Sequence, residues 1–148
     1  MSFFRKIDQL LGSFGNIKAL ERTHVDTYTE NLITGIEGEK IAESVDGQLW
    51  IEFKQLAGYD FMESTILSKT NIKTWDGSTL ILNGENDSLI LNSDTTEIES
   101  EYSNISNTWM TKVSFVVSKS DIKHIKEKKA DEILFKYKKK TISFNALK

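Results

Sequence analysis

Trp109-Met110-Thr111-Lys112-Val113-Ser114-Phe115-Val116-Val117 repeats with a period of two. Trp109, Thr111, Val113, Phe115 and Val117 share one face, with Lys112 and Ser114 opposite. Aromatic and β-branched residues in that alternation mark a strand with one buried face, and the parity places Trp109 in the core. The same period runs back through the chain as far as Val45. Leu49, Ile51 and Phe53 oppose Glu52 and Lys54, and Met62, Ser64 and Ile66, then Ile72, give a longer strand or a strand pair. Asp76-Gly77 is a turn dipeptide. Leu80-Ile81-Leu82 and Leu89-Ile90-Leu91 mirror each other about a polar loop, which reads as a hairpin covered on both faces. Glu97, Glu99 and Glu101 alternate with Ile98, Ser100 and Tyr102.

Strands joined in succession by short turns pair antiparallel. The expected class is mainly β (α+β), as an antiparallel β-sandwich or a partly closed barrel. Past Val117, Ser118 and Asp121 have capping-box spacing, and Ile122 and Ile125 anchor a short helix of about three turns. Ile133, Phe135 and Tyr137 then share a strand face. Ile142 and Phe144 follow in the opposite parity, so Lys138-Lys139-Lys140 holds a turn or a bulge.

Toward the N-terminus, Phe3, Ile7, Leu10, Leu11 and Phe14 form a stripe at helical spacing, which gives a helical segment over residues 1–22. Gly12 and Gly15 weaken it, at about 1 kcal/mol each relative to Ala. Residues 23–38 read as a connection, and 39–148 as the β-rich body. The stripe has three uses open to it: docking on the sheet, lying on a membrane, or self-association through Phe3, Ile7, Leu10 and Phe14. No internal repeat and no low-complexity linker divides the 148 residues, so a single domain 1–148 is expected.

The absence of Cys removes disulfides, thiolate metal sites and Cys nucleophiles. No apolar run reaches the ~20 residues of a membrane-spanning helix. Arg5, Lys6 and Asp8 stand where a signal peptide needs its apolar stretch, so the expected compartment is the cytoplasm. No cofactor and no metal site are expected.

Residue chemistry narrows the function only a little. The two histidines, His24 and His124, lack a nucleophile elbow or a glycine-rich oxyanion motif nearby. Residues 118–140 hold nine lysines against four acids, a net of +5 where the whole chain is −3, which leaves −8 elsewhere. Lys136, Lys138, Lys139 and Lys140 are the residues through which a polyanion, nucleic acid or anionic lipid, would be contacted. Against that stand the absence of Arg from the segment and the ordinary use of lysine to guard an edge strand. No tight nucleic-acid binding is expected. Trp50 and Trp75 fall on the parity of Glu52, Lys54 and Lys73 rather than that of the apolar residues. Both rings are therefore candidate ligand anchors, unless a helix covers that face.

In broad organisation the chain is similar to small lipocalin-like and pleckstrin-homology-like β domains, and such a resemblance does not fix a function. The expected role is a non-enzymatic binding or protein-interaction domain. The alternatives are a polyanion-contacting module using the lysine-rich segment 119–140 and a hydrolase centred on His24.

Overall fold

The computed structural model describes residues 29–148. A helix, α1, covers residues 29–34. The strands are β1 (Glu39–Ser44), β2 (Gly47–Leu56), β3 (Tyr59–Ser68), β4 (Lys73–Thr74), β5 (Thr79–Gly84), β6 (Ser88–Asn92), β7 (Ile98–Glu99), β8 (Glu101–Ser103), β9 (Thr108–Val117), β10 (Ala130–Tyr137) and β11 (Lys140–Ala146), with α2 (Lys119–Lys126) between β9 and β10. Nine strands form one antiparallel sheet in the order β6-β5-β10-β11-β1-β2-β3-β9-β8, and β4 pairs with β7. The large sheet curls into a half-barrel. Its ends approach where Ser93 bridges Phe115 and the Asp94 amide donates to the Ser114 carbonyl at 2.7 Å. Of the two expected architectures, the partly closed barrel is the one found.

Alternation decides which side chains fill the interior. Leu49, Ile51, Met62, Ile66, Val113 and Phe115 all point inward and are buried. A bulge between Lys40 and Ala42 lets the consecutive Ile41 and Ala42 both reach the core. Ile72 and Ile98, flanking and within the β4–β7 pair, pack into the same cluster, as does Ile125 of α2. The small sheet and α2 therefore supply core side chains where the curled sheet alone leaves the interior open.

Turn chemistry sets the register. Ala57 and Gly58 both have positive φ, 54° and 85°, which suits the two-residue connection between Leu56 and Tyr59. Gly47, after the β1–β2 turn, has no room for a side chain, since a Cβ would stand 2.4 Å from the Leu67 carbonyl oxygen. The slip at Lys138-Lys139-Lys140 is a turn. Tyr137 pairs with Lys140, Phe135 with Ile142 and Ile133 with Phe144, so a two-residue connection opposes odd to even positions. Lys138 takes positive φ there, 53°, without a glycine. At α2, Ser118 Oγ accepts from the Asp121 amide and the Asp121 carboxylate accepts from the Ser118 amide, the capping box read in the sequence.

Four expectations change. The β5–β6 hairpin is covered on one face only: Ile90 points to the outer face and is 60% exposed, while Leu91 beside it is buried. Trp109 has inward parity but is half-buried and tilts against Tyr102, 4.7 Å between ring centroids. α2 is eight residues long, about two turns. The lysines of β10 and β11 guard no edge, since both strands lie inside the sheet. The helical segment 1–22, with Phe3, Ile7, Leu10 and Phe14, lies outside the described residues.

Candidate functional site

The inside of the barrel is packed. Phe115, Phe135 and Phe144 are fully buried there. A small cavity beside His124, Ile125, Ala130 and Ile133 holds about 20 Å³, room for roughly one water. An eight- or nine-strand barrel is just wide enough to be filled by side chains or to hold one small ligand, and here side chains fill it. The surface is left to meet a partner.

On the outer face, α1 shares a cleft with residues of β2, β3 and β9. Glu30 ties it down: its Oε1 accepts from Ser103 Oγ at 2.8 Å and Ser106 Oγ at 2.7 Å. Two clefts flank the helix and share Leu32 and Lys112. One, of about 340 Å³, is lined by Glu37, Glu52, Glu63 and Lys54, the other, of about 550 Å³, by Glu97, Glu99 and Glu101. Alternation puts these carboxylates outside, where water solvates them. Among the described residues no group of three or more side chains could hold a metal ion.

The outer face turns apolar at the β2–β3 hairpin. Leu56 and Tyr59 face each other across it, 70% and 62% exposed. Phe61, next along β3, opposes Val116 of β9, which is 46% exposed. The charges beside this patch are paired within the chain, Lys54 with Glu52 at 3.3 Å and Lys119 with Asp60 at 3.2 Å. Sequence reading passed over these residues because Leu56 and Tyr59 flank Ala57-Gly58 and look like turn residues.

The two tryptophans are not brought together. Trp50 is half-buried on the outer face of β2, between Lys40 and Thr65, and donates to Gln48 Oε1 at 2.9 Å. Trp75 follows β4 and is 57% exposed, with Lys73 Nζ 5.9 Å from its ring centroid. Neither lines the clefts beside α1. Lys136 is exposed on β10, and Lys138, Lys139 and Lys140 form the tip of the β10–β11 hairpin. His124 Nε2 lies 3.2 Å from Asp87 Oδ2, joining α2 to the β5–β6 turn. His24 lies outside the described residues.

Tyr137 carries an unpaired group. Its Oη is buried with no hydrogen-bond partner among the described residues, and burial holds the phenol above its ordinary value of 10.0. A raised folded value means that the contribution to stability is complete below pH 10.0 and is lost as the pH climbs through the folded value. Tyr137→Phe is expected to change stability at pH 7 by less than ~1 kcal/mol, because no hydrogen bond is lost. The variant should also lose less stability on going to alkaline pH, as urea titrations at neutral and alkaline pH will measure.

No family model, no curated protein and no solved structure matches the chain.

Proposed function

We propose that the chain is a non-catalytic binding domain of the cytoplasm that works through its outer surface and pairs weakly with a second copy of itself at the β2–β3 hairpin. The observation behind this reading is the continuous apolar surface of Leu56, Tyr59, Phe61 and Val116 on the outside of a barrel whose inside is already filled. The neighbouring charges have partners within the chain, so the surface best fits another apolar one, and a second copy presents the same residues. A patch of this kind amounts to a few hundred Å². A stable dimer buries ~800 Å² per partner, so the pairing is weak and concentration-dependent, on the order of 100 μM.

Sedimentation velocity over a wide concentration range tests it. The wild type should move from monomer toward dimer. Leu56→Lys combined with Tyr59→Lys should weaken association at least about tenfold while leaving stability within ~0.5 kcal/mol, as exposed positions do. A chain monomeric at every concentration, or a variant that still dimerises, overturns the proposal.

A further inference from the structure

We propose that the rim of the barrel opposite the β2–β3 hairpin docks on an anionic lipid surface. The strand order β5-β10-β11-β1-β2 brings three pieces of chain to that rim. They are the loop entering β5, the β10–β11 turn and the β1–β2 turn. Thr79 at the start of β5 pairs with Lys136, so the loop entering β5 reaches the rim at which β10 turns through Lys138 and Lys139, while Gly77 itself bonds the Thr96 carbonyl. β11 pairs with β1, whose end carries Val45 and Asp46.

Two features of this rim coincide. Val45 is 101% exposed and Trp75 57% exposed, two apolar side chains held out at loop tips. The same rim carries Lys138, Lys139 and Lys140, and Lys73 lies 5.9 Å from the Trp75 ring; none of these lysines is in an ion pair among the described residues, and Asp46 and Asp76 are the acids on the two loops. The exposed lysines of β10, β11 and the turn between them cannot be there to block edge pairing, because β10 and β11 have no free edge. The turn even holds Lys138 at positive φ, where glycine or asparagine is the usual occupant.

The combination fits a bilayer better than a nucleic acid. Trp belongs at a membrane–water interface, and a bare Val at a loop tip gains by entering one, but Val offers no face on which a base could stack. Lysine, a compact point charge, suits a diffuse anionic surface, whereas base and phosphate reading favours Arg. The only arginines, Arg5 and Arg22, lie outside the described residues. The rim is at the far end of the ten-residue β2 from the Leu56–Tyr59 patch, so docking and self-association are separable.

Co-sedimentation of the full chain with phosphatidylcholine vesicles, with and without phosphatidylserine, is the test. Binding is expected only with phosphatidylserine, and it should weaken as salt rises. Each lysine near such a surface contributes about fivefold, so the triple variant Lys138→Gln, Lys139→Gln, Lys140→Gln should bind ~100-fold more weakly. Val45→Ser with Trp75→Ser should also lose binding, with its lysines intact. Circular dichroism checks that both variants fold, and the salt titration of the wild type stands without either. Equal binding to both kinds of vesicle, no binding to either, or indifference to the lysine substitutions overturns the proposal. So does tighter lysine-dependent binding to a single-stranded oligonucleotide than to the anionic vesicles. A monomeric protein that still binds vesicles would sink the dimer and leave the rim standing.

Discussion

Phe115→Ala is expected to lower the unfolding free energy by ~3–5 kcal/mol, the usual cost of removing a buried phenylalanine from a packed core. Phe115 is fully buried and belongs to the strand whose alternation first identified the fold. It also stands at the seam, where its backbone bridges Ser93 and brings the two ends of the curled sheet together. A cavity there cannot collapse easily, because β3 holds β9 in register from Asp60 to Ser68 and fixes one wall. Val116→Ala, one residue along and on the outer face, should cost less than ~0.5 kcal/mol. Urea unfolding of the pair measures parity directly. Comparable losses at both positions would mean that β9 does not present Phe115 inward.

Much of this fold is visible in the period of the chain, and the failures have physical causes. Ile133, Phe135 and Tyr137 are inward, as alternation requires, and the Ser118–Asp121 box caps α2 where spacing placed it. Periodicity tells inside from outside along a strand but says nothing about which strands are neighbours. The lysines of β10 therefore looked like edge guards until the strand order put β5 on one side and β11 on the other. Ile90 looked covered because its triplet is apolar throughout, yet its parity sets it on the outer face, where it is 60% exposed. Two-residue strands such as β4 and β7 are too short to show any period. Trp50 and Trp75 stood out by parity, and both rings are off the core, but Trp50 lies on β2 and Trp75 in the bend after β4. The Leu56–Tyr59 patch was hidden for the opposite reason, since two hydrophobic residues flanking a turn break no rule until the register sets them beside Phe61 and Val116.

Ser100→Ala should cost about 2–4 kcal/mol, far more than a methylene-sized change suggests. Ser100 lies between β7 and β8, where the chain leaves the small sheet for the large one. Its buried Oγ accepts from the Ile72 amide at 2.8 Å and contacts Thr111 Oγ1 at 2.7 Å. It also donates to the Ile72 carbonyl at 3.1 Å. One hydroxyl proton can serve only one acceptor, so the Thr111 hydroxyl donates to Ser100, which passes its own proton to Ile72. Alanine would leave two buried donors, the Ile72 amide and the Thr111 hydroxyl, without partners at ~1–3 kcal/mol each. The Ile72 carbonyl would keep the Ser100 amide at 2.9 Å and lose little. Thr111→Val alone should cost only ~1 kcal/mol. In the double variant the orphaned hydroxyl is gone, so its loss should fall short of the sum of the two single losses by ~1 kcal/mol. Urea denaturation of all four members of the cycle measures that coupling. Strict additivity would mean that the two hydroxyls do not share a hydrogen bond.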